Sequence, residues 1–185
     1  MHRRQVLSVI GTAALAPLLV PLSARERWAA GTGLHDRAAR QTGGGALSPA
    51  QMALVTALAD TVIPRTDTPG AVDVAAPAFV DLLLAEWYPD RERQDILAGI
   101  DAWDARCREM QGKTFAELDA QGRAAFLTAV DAETGPAGSP AAAYAAIKSA
   151  IVFGYVTSKP VAEAHRAMPI IPGRFDGCVP VGGGG

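Results

Sequence analysis

Apolar residues recur at helical spacing through the middle of the chain, from residue 48 to residue 168. They fall three or four positions apart, the period of an amphipathic α-helix, and no stretch alternates apolar and polar residues long enough for a strand. The cleanest stripe runs from Ile96 to Met110 and stops before Gly112, a typical C-cap residue. The pattern predicts an all-α fold, a single small bundle of about five to six helices, followed by an irregular C-terminal tail.

Capping residues mark where these helices begin. Ser48 and Ser139 each precede a proline, which suits the N-cap and the first helical position, and Gln51 completes a capping box with Ser48. Thr114 and Glu117 form a second box ahead of a short turn. The predicted apolar faces are Met52, Val55, Leu58, Ala59 and Val62; Phe79, Leu82, Leu83 and Trp87; Ile96, Ile100, Trp103, Cys107 and Met110; Phe126, Leu127 and Val130; and Tyr144, Ile147, Ile151 and Tyr155.

The chain opens with a paired arginine, Arg3 and Arg4, directly ahead of an apolar run over residues 6–22. A paired arginine before such a run is typical of signals read by the twin-arginine exporter, which moves folded proteins. Small residues up to Ala24 offer a cleavage site, so we expect a removable leader and a periplasmic mature protein. An uncleaved membrane anchor is the alternative, because the apolar run is just long enough to span a bilayer.

The segment after the leader, residues 25–47, is predicted to be a flexible linker. It has no sustained apolar period, and it carries Gly31, Gly33 and a run of three glycines at 43–45. Such a composition buries too little apolar surface to offset the entropy of ordering the chain. The predicted organisation is a signal peptide over 1–24, a linker over 25–47, a helical domain over 48–168 and a tail over 169–185.

The charge balance excludes one large class of partners. The chain carries 17 Lys and Arg against 19 Asp and Glu, and removal of residues 1–24 takes away only arginines, Arg3 and Arg4. Without a basic cluster in the mature chain, binding to nucleic acid is not supported. The remaining length suits one domain with a real core but leaves little room for separate nucleotide and substrate domains.

Motifs for self-contained catalysis are missing from the sequence. It contains no glycine-rich dinucleotide fingerprint, no Walker loop, no nucleophile elbow and no covalent haem motif, so we assign no catalytic and no cofactor-binding residue. Only His35, in the predicted linker, and His165, near a helix end, remain after the leader. Two histidines without further ligands at fixed spacing do not make a metal site.

Two acidic pairs, Asp101 with Asp104 and Asp131 with Glu133, raise the question of acid–base chemistry. Both pairs fall on otherwise regular amphipathic helices. A solvated helix face explains them better, so we expect surface residues without a catalytic role.

The sequence has two cysteines, Cys107 and Cys178. Cys107 lies in the stripe of the third helix, which predicts a buried thiol, whereas Cys178 lies in the tail. In a compartment that permits disulfides, Cys178 has three possible states: a free thiol, a bridge to Cys107 or a bridge to a partner protein. We favour the bridge to a partner, because an internal bridge needs the two Cα atoms within about 7 Å.

Two segments of the chain resemble a known family. Residues 58–71 read LADTVIPRTDTPGA and end in a loop rich in turn formers, and residues 172–180 read PGRFDGCVP, downstream of Thr157-Ser158. Both are similar to the marked stretches of the gluconate 2-dehydrogenase subunit 3 family, and the resemblance runs from Leu47 to Pro180. Members of this family are the small (γ) subunits of membrane-bound, flavin-dependent sugar and alcohol dehydrogenases.

The resemblance implies a non-catalytic chain that carries no cofactor of its own. FAD and the substrate would lie on a large subunit of the glucose–methanol–choline (GMC) oxidoreductase type, and electrons would leave through a multihaem cytochrome c subunit. The large subunit in such complexes often lacks a leader. The twin-arginine signal of this chain would therefore export the folded, flavin-loaded pair, and the complex would lie on the periplasmic side of the inner membrane.

The tail offers contacts for such a partner. Arg174, Phe175 and Asp176 place charges and an aromatic ring beside Cys178, in a segment whose prolines and glycines limit helix and strand formation. We expect these residues to dock on the partner surface. A stand-alone exported helical protein that binds a ligand or a metal is the alternative, and a neighbouring gene for a large flavoprotein would distinguish the two.

Overall fold

The computed structural model describes residues 33–40 and 44–165, with side chains described as far as Glu163. Within these ranges the regular elements are all helical and no strand occurs, which confirms the predicted all-α fold. Residues 33–40 are helical and are called segment 33–40 below. The elements that follow are α1 (Pro49–Val62), α2 (Ala76–Glu86), α3 (Asp90–Gln111), a 3₁₀ turn (Phe115–Glu117), α4 (Ala120–Val130), α5 (Pro140–Thr157) and α6 (Lys159–His165).

The helices begin and end at the capping residues that the sequence predicts. The Ser48 hydroxyl accepts a hydrogen bond from the Gln51 N–H at 3.3 Å, and the Gln51 side chain accepts one from the Ser48 N–H at 2.9 Å. This reciprocal pair is a complete capping box. Ser139 caps α5 through its hydroxyl alone, which accepts from the Ala142 N–H at 3.2 Å. Helix α3 ends at Gly112, whose φ of 72° is left-handed.

Helix α5 runs through the centre of the domain and contacts α1, α2, α3 and α6. Two glycines allow its neighbours to approach closely. At Gly99 of α3 an added Cβ would lie 2.6 Å from the Cβ of Ala143, and at Gly154 of α5 it would lie 2.7 Å from the Phe79 ring. Because real Cβ atoms do not approach so closely, a side chain at either position would force helices apart.

The Trp103 side chain lies within an aromatic cluster of the core. Its ring centroid is 4.9 Å from that of Phe115, 5.0 Å from that of Phe126 and 5.6 Å from that of Tyr144, whose ring stacks on it. Trp103 is buried, as predicted. The cluster joins α3 to the 3₁₀ turn, α4 and α5, and each aromatic pair adds about 0.5–1.5 kcal/mol beyond simple burial.

The predicted apolar faces differ from the observed ones in two respects. Met110 is 48% exposed, because the last turn of α3 extends past the core and residues 108–111 all face solvent. Leu54, Val80 and Leu84 are buried although they lie outside the predicted stripes. Helices α1 and α2 have several packed neighbours, so they bury a wider arc than a single amphipathic stripe.

Segment 33–40 differs from the flexible linker predicted over 25–47. It is helical, and its Leu34 and Ala38 side chains are buried in the core. The Arg37 guanidinium binds the Glu86 carboxylate of α2 through two hydrogen bonds, one of them 2.7 Å long. Leu34 and Ala38 are one helical turn apart, and two apolar residues form too short a stripe to indicate a helix in the sequence.

Among the described helices, none is both long enough and apolar enough to cross a membrane. The predicted signal peptide over 1–24, with Arg3 and Arg4, lies outside the described residues. The tail predicted over 169–185 lies outside them as well.

Candidate functional site

The connection between α1 and α2, residues 63–75, has a shape maintained by its own side chains. We call it the α1–α2 loop. The Arg65 guanidinium donates two hydrogen bonds to the Asp73 carboxylate, of 2.8 and 2.7 Å, and the Gly70 N–H donates a third of 2.8 Å. Arg65 and then the Gly70 N–H lower the pKa of Asp73, so the carboxylate stays ionised at neutral pH.

Gly70 allows the loop to fold back on the end of α1. An added Cβ there would lie 2.7 Å from the Arg65 nitrogen and 3.0 Å from the Ile63 carbonyl oxygen, both of which are backbone atoms. The Ala71 N–H donates to that Ile63 carbonyl at 2.9 Å and closes the turn. The loop therefore has one backbone path, and only glycine fits at its tightest point.

Ala75 ends the loop in a left-handed conformation, with φ 57° and ψ 30°. Among the described residues it is the one non-glycine residue with a positive φ. This conformation costs about 1–2 kcal/mol in an L-residue. Hydrogen bonds on both sides hold it, since the Ala75 N–H donates to Val72 and its carbonyl accepts from Phe79. Strain of this kind clusters at functional sites, so the α1–α2 loop is a candidate functional site.

A groove of about 420 Å³ opens beside the α1–α2 loop. Segment 33–40, α1, the loop and α2 all contribute to its lining, and most of the lining is apolar, with Met52, Val72, Ala75 and Leu82 among its members. Val72, which is 41% exposed, adds accessible apolar surface to this lining. A concave apolar surface of this size fits one or two large side chains of another protein.

The charged side chains at the groove, Arg37 and Asp81, already make hydrogen bonds within the domain. Arg37 binds Glu86, and the Asp81 carboxylate accepts a hydrogen bond of 2.7 Å from the Leu47 N–H. Both charges therefore serve to hold the groove walls in place. The groove suits an apolar contact better than an ionised small ligand.

The first acidic pair, Asp101 with Asp104, joins α3 to other elements. Asp101 accepts a hydrogen bond of 2.9 Å from the Gln51 side chain of α1. Asp104 accepts one of 2.9 Å from the Phe115 N–H and pairs with Arg108 at 2.7 Å. The solvated face predicted for this pair is wrong for Asp104, whose side chain is only 14% exposed because it caps the 3₁₀ turn.

The second acidic pair, Asp131 with Glu133, lies beyond the end of α4 and not on a regular helix as predicted. The Tyr144 hydroxyl donates to Asp131 at 2.6 Å, and the Lys148 ammonium binds the same oxygen. Arg106 of α3 binds Glu133 through two hydrogen bonds, one of 2.7 Å. Both carboxylates therefore anchor the connection between α4 and α5 to the neighbouring helices.

Cys107 is fully buried, as predicted, and carries a free thiol. Burial, and to a smaller extent Asp104, raises the pKa of the Cys107 thiol to about 11, so it is protonated and unreactive at neutral pH. The other predicted contact residues, Arg174, Phe175, Asp176 and Cys178, lie outside the described residues.

His35 belongs to segment 33–40 and contacts the core, whereas the sequence places it in a flexible linker. Its ring stacks on Phe79, with the centroids 4.4 Å apart, and its Nε2 lies 2.8 Å from the Thr157 hydroxyl. Over the part of the chain that the structure describes, no group of three or more His, Cys, Asp or Glu side chains is placed to hold a metal ion. The His165 side chain lies outside that part.

Sequence reasoning did not identify the groove. Its residues come from four separate elements, and such a meeting leaves no local pattern. Two signals point toward it in retrospect. The connection over 64–73 is rich in turn formers and longer than the others, and it contains an apolar residue, Val72, that belongs to neither helical stripe.

A family model described as gluconate 2-dehydrogenase subunit 3 matches residues 49–173 of the chain. The match begins at the first residue of α1, includes the α1–α2 loop and continues past the end of α6. No curated protein and no solved structure matches the chain.

Proposed function

The chain belongs to the gluconate 2-dehydrogenase subunit 3 family, and from that premise we propose that it is the small, non-catalytic subunit of a FAD-dependent sugar or alcohol dehydrogenase. The family name denotes one subunit of a multi-subunit dehydrogenase. The observation that carries the proposal is the extent of the match, which takes in every described helix from α1 to α6.

In this proposal the redox chemistry belongs to other chains. FAD and the substrate lie on a large subunit of the GMC oxidoreductase type, and haem c lies on a cytochrome subunit that receives the electrons. The side chains of this protein support a binding role, because its ion pairs stabilise its own structure: two join separate elements and the pair of Arg65 with Asp73 closes the α1–α2 loop.

Two surfaces are proposed to contact the large subunit. The first is the α1–α2 loop with the apolar groove beside it, which combines a fixed backbone, a strained Ala75 and an exposed Val72. Pre-formed apolar grooves bind without a large ordering cost, and they take up anchor side chains such as Phe, Leu or Trp. The second is the tail, where Arg174, Phe175, Asp176 and Cys178 follow the helical domain.

The leader suggests how the complex reaches its compartment. Arg3 and Arg4 precede an apolar run, the arrangement that the twin-arginine exporter reads on folded cargo. We therefore propose that this subunit escorts the flavin-loaded large subunit into the periplasm, where the complex associates with the inner membrane.

Replacement of both leader arginines tests the escort role. In the double variant Arg3→Lys and Arg4→Lys, this subunit and the large subunit should both remain in the cytoplasm, and periplasmic dehydrogenase activity should be lost. The matched control is Arg25→Lys with Arg27→Lys, which makes the same chemical change just beyond the leader. Normal periplasmic activity in the Arg3 and Arg4 variant would overturn the escort role.

Subunit membership is tested separately, by affinity purification of the wild-type protein from its native host. Mass spectrometry of the purified material should identify a large FAD-containing protein of the GMC type at equal stoichiometry, with a multihaem cytochrome c beside it. Purification of this chain alone, from cells that express the dehydrogenase, would refute the proposed complex whatever the leader does.

The state of Cys178 is a further part of the proposal. Because the Cys107 thiol is buried in the core, we propose that Cys178 bridges to the large subunit. Non-reducing electrophoresis of the complex should give a band at the summed mass that reductant removes. The band should persist in Cys107→Ala and disappear in Cys178→Ala. Separate bands without reductant would exclude the bridge.

A further inference from the structure

Segment 33–40 is attached to the core through the ring of His35. The imidazole stacks on Phe79 of α2 with an interplanar angle of 22°. The Thr157 hydroxyl of α5 donates its proton to the Phe153 carbonyl at 2.7 Å, so it accepts a hydrogen bond from the His35 Nε2–H at 2.8 Å. One half-buried titratable ring therefore contacts both α2 and α5.

Within the part of the chain that the structure describes, the remaining attachments of the segment are few. Leu34 and Ala38 are buried, but both are modest in size. The ion pair between Arg37 and Glu86 has side chains that are 38% and 37% exposed, and exposed ion pairs contribute about 0–1 kcal/mol. An element held by so few contacts can separate from the core without unfolding it.

We propose that segment 33–40 is a latch that releases from the core in mild acid, with protonation of His35 as the trigger. The neutral ring donates through Nε2 and stacks on Phe79. Protonation adds a charge to a half-buried ring in contact with two helices, and release of the segment lets water solvate that charge fully.

Burial outweighs the charged groups around His35, so protonation of the docked ring is disfavoured. Helices α2 and α5 present the uncharged Phe79 ring and the Thr157 hydroxyl to it. Burial lowers the pKa of His35 below its ordinary 6.5, and the field of Asp36, on the same segment, raises it by less. Glu86 of α2 is engaged with Arg37 on the segment. Lys159, at the start of α6, pairs with Glu163.

Proton linkage between the docked and released states sets the direction in which docking depends on pH. A docked pKa below 6.5 means that the released segment binds a proton more readily than the docked one. The docked state therefore has its full stability above pH 6.5 and loses stability as the pH falls below that value. A single titrating group changes the docking equilibrium by at most about tenfold per pH unit.

Release would change the proposed partner surface. Segment 33–40 supplies one wall of the apolar groove through Arg37 and Ala38, and it covers Phe79, which is fully buried. Mild acid would thus open the groove on one side and uncover an aromatic ring. The latch stands on the geometry of this chain alone, so its test does not depend on the dehydrogenase.

Hydrogen–deuterium exchange of the full chain between pH 5 and pH 7.5 tests the latch. Protection factors, which already correct for intrinsic exchange, should fall severalfold for the amides of residues 37–40 below pH 6.5. Amides of α3 and α5 should keep their protection, because the core stays folded. A flat profile over residues 37–40 would overturn the proposal.

Two variants assign the effect to His35. His35→Phe retains a ring against Phe79 but cannot titrate, so protection over residues 37–40 should become independent of pH. Thr157→Val removes the acceptor, so protection should be lower at neutral pH while its pH dependence remains. A pH-dependent profile in His35→Phe would refute the role of His35.

If His35→Phe leaves the segment undocked at every pH, the pKa of His35 in the wild type, measured by NMR, decides the matter. A value above 6.5 would refute the proposal, and a value below 6.5 supports it.

Discussion

The phenolic hydroxyl of Tyr155 donates a hydrogen bond of 2.9 Å to the carbonyl oxygen of Pro69, 86 residues earlier in the chain. This bond fastens the α1–α2 loop to the central helix α5. The loop is thereby held from outside by α5 and from inside by the pair of Arg65 with Asp73. Its rigidity is a property of the tertiary structure as much as of its turn-forming sequence.

Tyr155→Phe should loosen the loop while leaving the fold intact. The free energy of unfolding should fall by about 1 kcal/mol, the usual contribution of one hydrogen bond. Amide exchange at Ala71 and Asp73, both in the loop, should accelerate. Tyr144→Phe is the matched control, because it removes a hydroxyl bound to Asp131 instead and should leave loop exchange unchanged. Equal loop exchange in wild type and Tyr155→Phe would contradict the fastening role.

Gly70→Ala should damage partner binding more than stability. The new Cβ would meet backbone atoms of Arg65 and Ile63, which cannot move aside as a flexible side chain does. The loop must therefore shift, and the groove beside it changes shape. Co-purification of the large subunit should drop severalfold, whereas Gly44→Ala, where an added Cβ meets nothing within 4 Å, should bind normally. Undiminished binding by Gly70→Ala would remove the loop from the proposed interface.

Trp103→Ala should destabilise the domain severely. The side chain is 3% exposed and contacts three other aromatic rings, so its truncation leaves a large cavity. The free energy of unfolding should decrease by about 3–5 kcal/mol in denaturant titrations. Met110→Ala, on the same helix but 48% exposed, should change it by less than about 0.5 kcal/mol. Similar losses in the two variants would show that the burial of α3 is misassigned.

Acid should weaken the fold through its paired carboxylates. Asp73, Glu86, Asp131 and Glu133 each bind a cationic side chain, which lowers their pKa below the ordinary values of 3.8 for Asp and 4.5 for Glu. A lowered folded-state pKa stabilises the fold above the ordinary value, and this stabilisation is lost as the pH falls through the folded-state pKa.

Urea midpoints measured from pH 6 down to pH 3 should therefore fall only slightly above about pH 4.5, where His35 alone among the described residues titrates, and decline steeply below it. Asp131→Asn should flatten part of the decline, because it removes one of the four titrating groups. Asp67→Asn, an exposed loop carboxylate, should leave the curve as it is in the wild type. A midpoint that stays constant down to pH 3 would contradict the stabilising role of these pairs.

The sequence predicts the helices well because their signals are local. A serine followed by proline fixes the start of α1 and of α5 within a few neighbouring residues, and Gly112 marks the end of α3. The predicted burial of Met110 is wrong because periodicity does not reveal where a helix leaves the core. The burial of Leu54 is not predicted because packing on several sides widens the buried arc of α1.

The site is less predictable, because its parts meet only in the folded chain. The bond from Tyr155 to Pro69 and the contact of His35 with Phe79 both join residues far apart in sequence. No local propensity encodes such pairs. What the sequence does reveal is the family, through the resemblance carried by residues 58–71 and 172–180. The family model matches residues 49–173, which include the first of these segments and the start of the second.

Helix α5 has a consequence for how the domain melts. It contacts the α1–α2 loop through Tyr155, the aromatic cluster through Tyr144 and α2 through Gly154. With one helix shared among these regions, the helical core has no half that can persist alone, and it should unfold in a single cooperative transition. In the export route proposed above, the exporter would then meet a helical core that is either folded or unfolded, with no half-folded core to mistake for finished cargo.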